Sequence, residues 1–458
     1  MMLLLLTCMT AKAQVFETAT DAVKNMRVGW NLGNTLDSNS GDINSMWIEA
    51  DKNRNVYTYE KAWGQPVTKP ELFKMLKDAG FNAVRVPVTW YPHMEATFNS
   101  VYGYSSNGQW LYKPWNPETD PIGTKIQAAW MKRVHEVVDY VISQGMYCIL
   151  NVHHDTGAAN TAWLIADDDV YAQQQSRFEA VWKQIAEEFK DYDEHLLFEG
   201  YNEMLDSKRS WCFASFAASN QYDAAIAKSA YSAINKYAQS FVNAVRATGG
   251  NNSQRNLVVT TYGACDGSGN WNSHLQDPLK EMKLPTDAVG NHLIFEVHSY
   301  PDIKNLASVK NETKTKINNW KKYLIEKGAP LIVGEWGTST ENGYNDYRQN
   351  YLGFAKDFIE QTKASGIATF HWMGLSDGTA RTEPRFNQQD LADAIIKGYY
   401  GENGYSTGIH SITDNQSQSV DVYTLSGLLV ATGIHRSEVN SKLKKGIYII
   451  DKKKVVIP

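Results

Sequence analysis

Eight short apolar runs rich in β-formers recur along the chain, alternating with stretches of helical periodicity from end to end. The pattern predicts strands at 28–31, 83–87, 147–152, 196–199, 256–261, 293–298, 331–335 and 367–372. Helical stretches fall between them, among them 71–79, 127–143, 171–190, 222–247, 309–326 and 347–364. Several of these helices run into a glycine just before the next strand, at Gly80, Gly145, Gly328 and Gly366. A glycine there suits a helix C-cap that feeds a strand. Eight strands joined by helical crossovers imply a (β/α)8 TIM barrel. A doubly wound sheet is the alternative, and no GxGxxG turn follows the first strand to favour it. One barrel of about 250 residues with insertions accounts for most of the chain.

Polar residues gather at the C-terminal ends of the predicted strands: Asn34, Arg85, His153, Asn202, His298, Glu335 and Trp372. Chance would scatter them along the strands. In a barrel, that end is the catalytic face. Glu203 closes the run LLFEGYNE and Glu335 closes PLIVGE, so the fourth and seventh strands would bring two carboxyls to one mouth. Cleavage of a glycosidic bond needs such a pair, one group protonating the leaving oxygen and the other attacking carbon or activating water. A lone glutamate at a strand end is usually a solvated charge; two of them, each behind a hydrophobic strand and beside Asn or Trp, are not.

Other chemistries fit less well. His153, His154 and Asp155 are adjacent, but alternation along a strand would point the two histidines to opposite faces. There is no HExxH helix and no CxxC pair, so no metal and no cofactor are expected. There is no GxSxG elbow for a serine hydrolase. A net charge of −5 with no basic stripe argues against nucleic acid as a partner. The 14 tryptophans and 25 tyrosines fit a large core and stacking on sugar rings equally.

The runs VGWNLGNTLD, RVPVTW, NVHHD, FEGYNE, HSYP, VGEW and HW occur in order at successive strand ends. Over residues 20 to 400 the chain resembles glycoside hydrolase family 5, whose members are retaining (β/α)8 glycosidases. The opening VGWNLGNTLD with the later AWGQP resembles the endoglucanase and xyloglucanase branch. The resemblance implies Glu203 as acid/base and Glu335 as nucleophile. It implies that Asn202 holds the sugar 2-hydroxyl and that Arg85 hydrogen-bonds the nucleophile. It further implies that His298 and Tyr300 support the two glutamates, that His153 and His154 line the sugar site, and that Trp372 is the platform under the cleaved sugar. Asn34 and Asp37 match polar contacts to substrate. The chain departs from the family at Met204, where proline is frequent, in HWMGLSDG after the last strand, and in the loop 206–218 with Trp211 and Cys212.

The expected activity is therefore retaining endo-β-1,4-glycanase action on a β-linked polysaccharide, foremost glucan. Xyloglucanase or β-mannanase action is the alternative on the same scaffold, and a catalytically dead glycan-binding protein is a rival from another class. The opening MMLLLLTCMTAKAQ reads as an export signal over 1–13, followed by a catalytic domain over 14–404. Cys8 raises a lipoprotein alternative, although Thr7 suits a lipobox poorly. Residues 405–419 read as a linker, and 420–458 as two small β-hairpins. The elements VYTLSG, KGIYII and DKKKVV of that tail resemble the Bacteroidetes sorting domains for type IX secretion. They imply a secreted or cell-surface protein that engages outer-membrane secretion machinery, and a monomer is expected. Cys148 reads as a buried thiol; pairing of Cys212 with Cys265 is left open.

Overall fold

The structure is a computed structural model, and it describes residues 15–49, 51, 53–95, 102–104, 110–112, 123–211, 222–269, 273–405, 419–424, 428–435, 439–450 and 453–457. The expected signal at 1–13, most of the expected linker and Cys212 lie outside the described residues.

Eight parallel strands close into a barrel. They are β1 (Val28–Asn31), β2 (Ala83–Val86), β3 (Tyr147–Asn151), β4 (Leu196–Glu199), β5 (Leu257–Thr260), β6 (Leu293–Ser299), β7 (Leu331–Trp336) and β8 (Ala368–His371). Neighbours in sequence are neighbours in space, and β8 closes on β1 with Val28 paired to Thr369. Every residue of these strands is buried, as expected of strands covered by helices on one face and packed inside the barrel on the other.

The helices form because apolar residues repeat at helical spacing, and in several of them a polar side chain caps the first turn. Ala224–Arg246 buries Ala227, Ala230, Tyr231, Ile234, Tyr237, Ala238, Phe241 and Val245, while the Asp223 side chain accepts from the N–H groups of Ala225 and Ile226. Gly80, Gly145, Gly328 and Gly366 all take positive φ, as their positions ahead of the strands require. Helices at Ala19–Met26, Val56–Ala62 and Gln389–Tyr400 go beyond the stretches named from the sequence. α1 (Ala19–Met26) packs Ala19, Ala22, Val23 and Met26 against Ala83, Tyr147, Ile149, Leu197, Val258 and Ile294, filling the N-terminal end of the barrel.

The tail is a four-stranded antiparallel sheet rather than two separate hairpins. β9 (Ser419–Tyr423), β10 (Leu429–His435), β11 (Gly446–Ile450) and β12 (Lys453–Ile457) take the order β10-β9-β11-β12. The hairpins join because β9 pairs with β11, Val422 opposite Ile450. This sheet has its own small core of Val420, Val422, Val439, Ile450, Val455 and Ile457. Tyr405 packs against Gly80 and Tyr400, so the packed chain of the barrel runs one residue past the boundary expected at 404.

Candidate active site

The strand register brings polar side chains into one layer at the C-terminal mouth. Asn31 pairs with Arg85, Asn151 with Glu199, and His298 with Glu335. A bulge between β6 and β7 skips Gly334 and sets His298 directly opposite Glu335.

Arg85 is the hub of this layer and is fully buried. Its Nε and Nη2 donate to both oxygens of Glu199 at 2.6 and 2.7 Å. Its Nη1 donates to Glu335 Oε1 at 2.7 Å and to Asn31 Oδ1 at 3.0 Å. Nη2 also donates to Asn202 Oδ1 at 2.8 Å. All five guanidinium donors are thus committed, which fixes the group as a rigid fork. Tyr300 Oη donates to the other oxygen of Glu335 at 2.7 Å. The carboxylate therefore faces the cleft with both oxygens held.

Glu203 is reached from His298, whose Nδ1 lies 2.8 Å from Glu203 Oε1 and 3.5 Å from Glu335 Oε2. One oxygen of each glutamate lies within 4.8 Å of the other. Burial opposes a charge on His298, but Glu335, Glu203 and Glu296 outweigh it and push its pKa up to about 10. Burial raises the Glu335 carboxyl above its ordinary value, with His298 and Arg85 opposing. Burial also pushes Glu199 up to about 7, with Arg85 opposing.

His153 and His154 do not point to opposite faces. The strand ends at Asn151, so alternation no longer applies, and the two rings meet edge to face with centroids 4.4 Å apart. Asn151 Nδ2 bonds both Glu199 Oε1 at 2.9 Å and His153 Nδ1 at 3.0 Å. It must be the donor, which leaves the His153 proton on Nε2, 3.9 Å from Glu335 Oε1. The ring stacks parallel to Trp372, centroids 5.6 Å apart. Asp37 is fully buried and accepts from the backbone N–H of Asn34 and Thr35, so it shapes the loop. Its link to the cleft is His154 Nε2, 3.8 Å away. Asn34 sits beside it at φ 58°. The cleft has a volume of about 470 Å³, and its lining includes Glu203, Glu335, Tyr300, Trp372, Trp211 and Asp266.

A family model described as Cellulase (glycosyl hydrolase family 5) matches residues 44–377. The chain belongs to glycoside hydrolase family 5. It is 31% identical over 416 residues to Endoglucanase B of Neocallimastix patriciarum, covering 86% of this chain and 75% of that protein. Among solved structures it resembles a GH5-4 broad specificity endoglucanase from an uncultured bacterium, at 52% identity and TM-score 0.75, covering 85% of this chain and 97% of the other. It also resembles a family 5 mutant enzyme from Prevotella bryantii B14 in complex with a xyloglucan tetradecasaccharide, at 37% identity and TM-score 0.69, covering 85% and 100%.

This glycoside hydrolase carries site residues that its motifs did not single out. Glu199 and Glu296 lie inside apolar strands, in LLFE and LIFEVHS, and both are fully buried. A glutamate inside such a run was itself the signal, because a buried carboxylate demands a cation or donors. Gly33 is a second case: a Cβ there would lie 3.0 Å from the Trp372 indole, so a bare Cα seats that ring. Trp211 lines the cleft at 43% exposure, and Cys265 beside it is disulfide-bonded.

Proposed function

We propose that the chain is a retaining endo-β-1,4-glucanase, with Glu335 as nucleophile and Glu203 as acid/base. The observation that carries this is the spacing of the two carboxylates, an oxygen of each within 4.8 Å. Retaining enzymes hold the pair about 5–5.5 Å apart, whereas inverting ones leave about 6.5–9.5 Å for a water. Glu335, oriented by Arg85 and Tyr300, attacks the anomeric carbon and forms a glycosyl ester. Glu203 protonates the leaving oxygen and then takes a proton from the incoming water. Asn202 Oδ1 accepts from Arg85, which leaves its amide N–H groups for a sugar hydroxyl. Trp372 supplies a flat apolar face for the sugar ring.

The endoglucanase relatives support glucan as the polymer, and the Prevotella bryantii complex supports xyloglucan as a second one, because both have a β-1,4-glucan backbone. Export supports access to such polymers. The apolar N-terminal run and the tail sheet are the signals we assign to it, with the tail addressing the outer-membrane secretion machinery. We assign action as a monomer.

The roles are tested by product stereochemistry. Wild-type enzyme should release the β-anomer first by NMR. Glu335→Ala with azide should give the α-glycosyl azide, and Glu203→Ala on an activated aryl cellobioside should give the β-azide. Release of the α-anomer by wild type, or azides of one configuration from both variants, would refute the assignment. A screen on cellulose, xyloglucan, mixed-linkage glucan and mannan decides the polymer, and activity on mannan alone would overturn glucan.

A further inference from the structure

Two buried polar atoms in this layer have no hydrogen-bond partner, Glu296 Oε1 and His298 Nε2. Buried polar groups are almost always bonded, so two orphans side by side call for an explanation. They face each other 3.6 Å apart. Both belong to β6, two residues apart, and so share one face of the strand.

Glu296 has no stronger claim elsewhere. Arg85 Nε lies 3.5 Å from Glu296 Oε1 but donates at 2.6 Å to Glu199, and the other four donors of Arg85 are committed as well. The second oxygen of Glu296 lies 2.9 Å from Thr260 Oγ1. A Cβ at Gly334 would fall 1.4 Å from Glu296 Oε1. The glycine before Glu335 is therefore what makes room for this carboxylate beneath His298.

We infer that Glu296 is a positioning residue for Glu203, acting through His298: it takes the Nε2 edge of the imidazole and so aims Nδ1–H at the Glu203 carboxylate. This rests on the reading of Glu203 as the acid/base. An imidazole held only at Nδ1 can turn its ring and offer carbon in place of nitrogen. Held at both nitrogens, it cannot. The charged and titratable groups around the pair are Arg85, Glu199 and Tyr201 on the Glu296 side, and Glu203, Glu335 and His153 on the His298 side. The high pKa of His298 agrees with a ring that carries protons on both nitrogens.

The test is Glu296→Gln in the full chain, which keeps the shape and removes the charge. On glucan polymer, kcat/KM should fall roughly 10- to 100-fold with KM nearly unchanged, part of the 10²–10⁴ that a positioned proton donor supplies. On 2,4-dinitrophenyl cellobioside, whose leaving group needs no proton, kcat/KM should stay within about threefold. The ¹⁵N resonances of His298 should show the ring losing its proton at lower pH than in wild type. Thr260→Val, which frees the other oxygen of Glu296, should give a weaker version of the same split and serves if Glu296→Gln does not fold. Equal losses on both substrates, or an unchanged His298 titration, would overturn the inference. If Glu203→Ala itself kept full activity on polymer, the acid/base reading would fall instead.

Discussion

Replacing Arg85 by methionine keeps much of the side-chain volume and removes the charge on which three buried carboxylates converge. Glu199 and Glu335 lose direct hydrogen bonds at 2.6 to 2.7 Å, and Glu296 loses a cation at 3.5 Å. Removing one partner of a buried ion pair costs about 3–5 kcal/mol. The carboxyls can limit the loss by taking up protons, at about 1.4 kcal/mol for each pH unit above their ordinary value near 4.3. Neutralising one carboxyl thus costs about 5 kcal/mol near pH 8 and about 1 kcal/mol near pH 5. The sign follows from linkage. Burial raises the Glu296 carboxyl, but Arg85 and His298 outweigh it and hold its pKa below the ordinary value, so its contribution is present above its unfolded value and is lost in acid. Without Arg85 burial prevails and the group must take up a proton, so the gap between variant and wild type widens as pH rises above the ordinary carboxyl value. At roughly 1–2 °C per kcal/mol for a domain this large, Tm should fall about 5–10 °C near pH 8 and about 1–2 °C near pH 5. Circular dichroism melts at both pH values measure this. An equal loss at both, or a larger loss in acid, would refute the buried-carboxylate account.

Tyr300→Phe removes the phenol donor to Glu335; a hydrogen bond to a charged group is worth about 1.5–3 kcal/mol, so kcat should drop roughly 10- to 150-fold. Tyr300 helps to lower the pKa of Glu335, so the acid limb of the pH–rate profile should move to higher pH. Trp372→Ala should cost roughly 10- to 100-fold in kcat/KM on polymer, equivalent to about 1.5–3 kcal/mol of lost apolar contact, with Tm within about 3 °C of wild type; a change under about twofold would deny it the platform role. A chain ending at Tyr405 should melt cooperatively and keep full activity while losing export in a host with type IX secretion, and an unfolded product would show that the tail sheet is part of the core.

The sequence was legible where one physical rule acted alone. Eight buried strands stand within a residue or so of their expected bounds, because a strand covered on both faces is dominated by apolar residues and several of the helices feeding one end on a glycine. His153 and His154 were misread for the opposite reason. The alternation rule was applied two residues past the strand end, where turn geometry governs instead. α1 escaped notice because its apolar residues fill the barrel floor, and that partner surface exists only in three dimensions. The tail hairpins were visible one at a time, whereas the β9–β11 pairing reaches across β10 and a short helix, which carry no register signal for it. Glu199 and Glu296 were in view all along as charges inside apolar strands, but their meaning depended on Arg85, which sits more than a hundred residues away in sequence.

The placement of His298 bears on both halves of the double displacement. In the proposed first step Glu335 loses its negative charge to the glycosyl ester, while Glu203 gives up its proton and becomes negative. The site keeps its net charge, and the negative charge moves from one carboxyl to the other. The second step moves it back. His298 Nδ1 is 2.8 Å from the oxygen where charge arrives and 3.5 Å from the one that it leaves. One fixed cation therefore faces both ends of the transfer and need not relocate between steps. A donor already aimed where charge develops costs no reorganisation at the moment of reaction. Arg85 plays no such double part, because its contacts reach Glu335 and not Glu203. The ring that can serve both ends is the one seated on Glu296, and Gly334 leaves the room for that seat.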